Sequence, residues 1–126
     1  MIYTSYFSMI PKIIENNLYP IAICGGLPNG YNGLWYKKLA PSWSIYSEYK
    51  ETNDYKKYTV RYYNEILSKL DPHQVFHDLY NLADETVNFV MICYEKPGDF
   101  CHRHLVANWF TANGFPCDEW KDPMEF

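Results

Sequence analysis

Cys101, His102 and Arg103 stand side by side in the stretch Val87 to Phe110, VNFVMICYEKPGDFCHRHLVANWF, and they are the residues whose types and spacing point most directly to chemistry. Asp99 is a candidate helix N-cap, and Leu105, Val106, Trp109 and Phe110 recur at helical spacing up to Gly114, which predicts a helix over about 100–113. The Cys-His-Arg trio then falls in the first turn, where backbone N–H groups lack intrahelical partners and the helix dipole is positive. A thiol there, beside His102 and Arg103, can have its pKa lowered from about 8.5 into a range of roughly 3.5 to 7.5, which makes Cys101 a candidate nucleophile. The competing role is packing, because free cysteine is among the most buried residue types.

His102 and Arg103 carry a second possibility that needs no reactive thiol. With Lys96 and the free N–H groups they form a place for a phosphate or carboxylate, gripped by the arginine fork. In the plainer alternative the helix start is solvated and Arg103 pairs with Asp99 or Glu95. Glu95, one residue past the preceding strand, is either a general acid or base or the partner that fixes Arg103.

That preceding strand is the apolar run Val87 to Cys93, too short for a typical helix and rich in strand formers, as suits a strand covered on both faces. Ile92-Cys93-Tyr94-Glu95-Lys96-Pro97, followed by Phe100-Cys101-His102-Arg103-His104-Leu105, resembles the C-x-E-K … C-H-R signature of the four-eight-eight family of domains of unknown function. Ile2-Tyr3-Thr4-Ser5-Tyr6-Phe7 sits where that family has its opening strand, with Thr4-Ser5-Tyr6 in place of the T-I-G-H-S sequence of common members. Pro20 to Gly25 and Tyr36 to Pro41 are similar to a variant found in small bacterial and phage proteins. The resemblance implies a fold and a site around the C-H-R block; it implies no reaction.

Composition bounds the rest. A chain of 126 residues is expected to form one domain, able to bury a sheet under helices without disulfides. Aromatics make up 19% of it, more than a core this size takes up, so some rings are expected at the surface or lining a cleft. The net charge of −4 disfavours non-specific attraction to DNA, RNA or an anionic membrane. Met1 to Pro11 lacks the charged and apolar regions of a signal peptide, so the four cysteines are expected to be reduced thiols in a cytoplasm. The longest apolar runs are far shorter than the ~20 residues of a membrane helix.

Around the organising strand, Ile2 to Phe7 and Tyr19 to Cys24 read as two further strands inside a sheet, with a short helix near 12–17 between them. The stretch Gly25 to Pro41 reads as a long irregular loop presenting Tyr31, Trp35, Tyr36, Lys37 and Lys38. Helices follow from Ser42 to about 51, from 55 to 70 after a cap at Asn53-Asp54, and from Asp71-Pro72 to about Ala83. Phe115 to Trp120 suits an edge strand, and Lys121 to Phe126 a loose tail. Alternating strands and helices predict a three-layer α/β domain with a small, mainly parallel sheet.

Ligands of such sheets bind beyond the strand carboxyl ends, which would gather Ser5, Tyr6, Cys24, Gly25, Gly26 and the segment Tyr94 to Arg103. Gly25-Gly26 permits close approach of a ligand but matches no phosphate-loop spacing. Trp35 and Tyr36 can stack on a base or sugar with Lys37 against phosphate, or simply pack their loop. Cys93, Cys101, His102, His104 and Cys117 supply zinc-ligand types without a zinc spacing, and His73 and His77, one turn apart, read as surface histidines, so neither a metal nor another cofactor is expected. The expected function is binding of a small anionic ligand, with a nucleotide or its derivative as the leading class. Two classes stay open: a hydrolase or group-transfer enzyme using Cys101 and Glu95, and a non-catalytic protein that sequesters a nucleotide signal or docks on a protein partner.

Overall fold

A computed structural model describes residues 1–95 and 100–124. Its centre is β4 (Phe89–Cys93), in which all five residues are buried. Burial of Phe89, Val90, Met91 and Ile92 contributes about 1.5–3 kcal/mol of gross hydrophobic stabilisation each. Beside it lie β1 (Ile2–Tyr6) and β2 (Tyr19–Ala22), with β3 (Leu34–Trp35) and β5 (Cys117–Glu119) at the edges, in the order β3-β2-β4-β1-β5. Every pairing is parallel, so the expected small, mainly parallel sheet is a wholly parallel one. Tyr6 is level with Cys93 and Ala22 with Ile92, which brings three strand ends to one edge.

Helices cover both faces, giving the three-layer α/β domain. On one face α2 (Trp43–Thr52), α3 (Tyr55–Glu65), α4 (Pro72–Leu82) and α5 (His102–Ala112) deposit Ile45, Tyr62, Leu79, Val106 and Phe110 over Phe89 and Met91. On the other, Ile13 of α1 (Ile10–Glu15) packs with Trp120 against Val90 and Ile92. Side chains along a strand alternate between faces, which is why the odd-numbered residues of β4 meet the larger core and the even-numbered ones the smaller.

The helix starts follow from their caps: the side chains of Ser42, Asp54 and Asp71 accept backbone N–H groups of Ile45, Lys57 and His73 at 3.2, 3.1 and 2.9 Å. Asn53 adopts a left-handed φ of 57°, which asparagine tolerates, and turns the chain from α2 into α3. The helix expected over 55–70 ends at Glu65 and tightens into a 3-10 turn over Leu67–Lys69, because the chain must be extended at Asp71 ahead of Pro72.

Two expectations change. The stretch 25–41 is not wholly irregular: Leu34–Trp35 pairs with Ile21 and Ala22, and Lys37–Leu39 forms a 3-10 turn. Gly33 makes this path possible, since a Cβ there would stand 2.7 Å from the Tyr31 hydroxyl, which donates to the Leu34 carbonyl. The chain after β5 is tied down as far as it is described, with the Trp120 N–H donating to the Thr4 carbonyl at 2.8 Å and Lys12 pairing with the buried Asp122 at 2.9 Å.

Candidate active-site cleft

At the carboxyl edge of the sheet, a cleft of about 780 Å³ opens between β4, β2 and the outer turn of α2. Its floor comes from strand ends and a helix start: Cys24 just past β2, Cys93 closing β4, then Cys101 and His102 entering α5. Cys101 is the N-cap of α5, extended at φ −150° and ψ 143°, so the helix begins one residue beyond the thiol. The expected cap, Asp99, lies outside the described residues, as do Lys96, Pro97 and Gly98.

His102 is oriented from behind. Its Nε2 lies 2.8 Å from the Ile23 carbonyl oxygen, an acceptor only, so Nε2 carries a proton and Nδ1 faces the thiols. Nδ1 stands 3.5 Å from Cys93 Sγ and 3.9 Å from Cys101 Sγ, and the Tyr62 ring packs edge-on at 5.6 Å. Cys101 is held well below the ordinary thiol range, first by a hydrogen bond from the Cys93 thiol, then by His102 and the Arg103 backbone N–H, which together outweigh burial. Cys93 is driven the other way by donating that bond and by burial. Cys24, whose thiol donates to the Gly26 carbonyl at 3.0 Å, is pushed up by burial to about 11.

The walls are aromatic and the rim is cationic. Trp43, Tyr46 and Tyr49 come from α2, Tyr58 from α3, and Tyr94 and Phe100 flank the floor. Lys50 Nζ lies over the Tyr46 ring at 5.5 Å and Lys37 Nζ over Trp35 at 5.3 Å. Glu95 also lines the cleft, with its carboxyl held above the usual range by desolvation and by the negative charge of Cys101.

Residues 15–114 match the family model of the active DUF488-N3 subclade. The chain belongs to the DUF488 family. No curated protein and no solved structure matches it. The matched span holds every residue of this cleft, from Cys24 to His102, and leaves β1 and β5 outside.

Among the residues this DUF488 member was expected to use, the cleft brings together Cys101, Glu95, His102, Gly25, Gly26 and Lys37. Arg103 is placed elsewhere. Its guanidinium is fully buried, with Nε and Nη2 each 3.1 Å from Glu119 and Nη1 bonded to the Glu95 carbonyl at 2.5 Å, so the fork is occupied by the protein itself. Glu95 therefore fixes Arg103 through its backbone and leaves its carboxyl facing the cleft, while Glu119 on β5 supplies the ion pair. Tyr6 packs its ring 5.9 Å from the same guanidinium.

Ser5 is fully buried, without a hydrogen-bond partner among the described residues, level with Ile92 and so on the sheet face opposite Cys93. Tyr36 turns into the core and donates to Asp78 at 2.6 Å, and Trp35 donates to the Cys24 carbonyl at 2.8 Å, so both brace the loop instead of lining the cleft. His73 and His77 are exposed on α4.

The sequence reading missed Trp43, Tyr46, Tyr49 and Lys50. Trp43, Tyr46 and Lys50 recur at helical spacing on α2, and that row of two aromatics and a lysine was the available signal; Trp43 is 77% exposed. Cys93, read as the end of a strand, as part of the C-x-E-K signature and among zinc-ligand types but not as a site residue, is the partner of Cys101. Among the described residues, Cys93, Cys101 and His102 are the group of ligand atoms close enough to hold a metal ion, all within 4.8 Å of one another. No described helix is long and apolar enough to cross a membrane.

Proposed function

We propose that this protein binds a small anionic ligand of the nucleotide class in the cleft and acts on it as a thiol-dependent hydrolase or group-transfer enzyme. The observation that carries this reading is the imidazole pinned to Ile23, which turns Nδ1 toward Cys101 at the floor of an aromatic cleft. A base stacks on the exposed faces of Trp43 and Tyr46, whose rings lie 5.7 Å apart, with Lys37 and Lys50 toward phosphate. The Cys101 thiolate donates its electron pair to the electrophilic atom of the ligand; the bond to the leaving group breaks, and the departing atom takes the proton that Glu95 holds. Water then attacks the thio-linked intermediate, Glu95 carboxylate accepts its proton, and the thiolate is released. Transfer to an acceptor hydroxyl follows the same course.

The subclade's description as active favours catalysis over sequestration. A cytoplasmic setting in a bacterium or phage-infected cell suits four unpaired thiols. The test is incubation with a pool of nucleotides and mass spectrometry of the products: more than one equivalent converted supports an enzyme, and a ligand returned unchanged supports a sequestering protein. Cys101→Ser and Glu95→Gln must each abolish turnover with the fold intact; full activity in both contradicts the reading.

A further inference from the structure

We infer that Cys93, Cys101 and His102 form a site for a single zinc ion, with two sulfur ligands, one nitrogen ligand and a fourth position facing the cleft. A tetrahedral ion with Zn–S of about 2.3 Å and Zn–N of about 2.0–2.1 Å sets its sulfur and nitrogen ligands about 3.6 Å apart and its sulfurs about 3.8 Å apart. Here Nδ1 stands 3.5 Å from one sulfur and 3.9 Å from the other, and the three atoms lie within 4.8 Å of one another. An ion is received with movements of a few tenths of an ångström to about an ångström.

The donor chemistry agrees with the spacing. Two sulfurs and an imidazole form a soft to borderline set that takes Zn²⁺ and rejects Mg²⁺ and Ca²⁺. The Ile23 carbonyl supplies the outer bond that fixes a metal-binding histidine, since Nε2–H donates to it and Nδ1 is the nitrogen left to face the sulfurs. Three rigid attachments hold the ligands: the end of the central strand, the cap of α5 and its first residue. All three residues border the cleft, so water or a donor atom of a bound ligand completes the tetrahedron.

Both sulfurs bind as thiolates, and the occupied site withdraws Cys101 from nucleophilic attack. The site stands independently of the catalytic reading: the metal is read by titration and the nucleophile by alkylation of metal-free protein.

The experiment is competition of the metal-stripped full chain against a chromophoric zinc chelator, with parallel Co²⁺ spectra. One equivalent of Zn²⁺ is expected, unaffected by excess Mg²⁺, and Co²⁺ shows tetrahedral visible bands with thiolate charge transfer. Cys93→Ser, Cys101→Ser and His102→Ala each weaken binding more than about 100-fold, beyond the loss typical of an outer-shell partner, whereas Cys117→Ser does not. Zinc also protects Cys101 from iodoacetamide in the unmodified chain, a readout that needs no variant to fold. Absence of one-to-one binding, an octahedral cobalt spectrum, or affinity that survives the three substitutions overturns the site.

Discussion

The Nε2–H of His102 donates to the carbonyl oxygen of Ile23 at 2.8 Å, and this one bond determines which ring nitrogen meets Cys101. A residue of the β2 edge thereby sets the chemistry of a residue on α5. Substituting His102 with Asn removes the nitrogen that faces the thiols. Alkylation of Cys101 at pH 7 is expected to slow about tenfold, because an unassisted thiol is only a few per cent ionised there. Site-resolved mass spectrometry after iodoacetamide gives the rate; an unchanged rate contradicts the role.

Glu119→Ala is expected to cost about 3–5 kcal/mol, since it leaves a buried guanidinium without its carboxylate. Arg103 is fully buried, and Thr4 also donates to Glu119, at 2.7 Å. Glu95→Ala preserves the backbone carbonyl that Arg103 uses and is expected to change stability by less than about 1 kcal/mol. Urea unfolding of the two variants separates these outcomes, and equal losses would place the Arg103 pair wrongly.

Trp43→Ala and Lys50→Ala are expected to weaken nucleotide binding, the first by about 1–3 kcal/mol of lost stacking. Ser5→Ala, on the opposite sheet face, leaves affinity unchanged. Calorimetric titration with the ligand retained from a nucleotide pool makes the comparison; loss of affinity in Ser5→Ala alone would move the site.

Acid should loosen the C-terminal tie. Lys12 holds the Asp122 carboxyl below its usual range through a hydrogen bond. A depressed folded value stabilises the fold above the unfolded carboxyl pKa of about 3.9, and that contribution fades as pH falls through the lower folded value. Asp122→Asn is therefore expected to flatten the acid limb of the stability curve while leaving its shape near neutrality unchanged, as read by thermal melts from pH 2 to 7.

Much of the fold is legible because its signals are local. The Val-Met-Ile run of β4 has no polar face, and Ser42, Asp54 and Asp71 cap helices through bonds spanning two or three residues. What was not legible depends on packing between distant segments. Arg103 reaches Glu119 because β5 lies against β1, a parallel pairing that no neighbouring residue specifies. Two-residue β3 is too short to show a period.

The site divides the same way. Cys101 and His102 announce themselves at a helix start, but Cys93 joins them only when the end of β4 meets the cap of α5. Trp43 and Lys50 look like solvated surface until α2 is seen to wall the cleft.

The pH dependence of Cys101 alkylation in metal-free protein, each of the four thiols being followed separately, reads the ionisation of Cys101 itself. A thiolate already formed predicts a Cys101 rate that is nearly flat from pH 6 to 9, while Cys24 and Cys117, pushed up to about 11 and about 12 by burial, stay slow throughout. A Cys101 rate that climbs tenfold per pH unit toward the ordinary thiol pKa of about 8.5 would contradict the account.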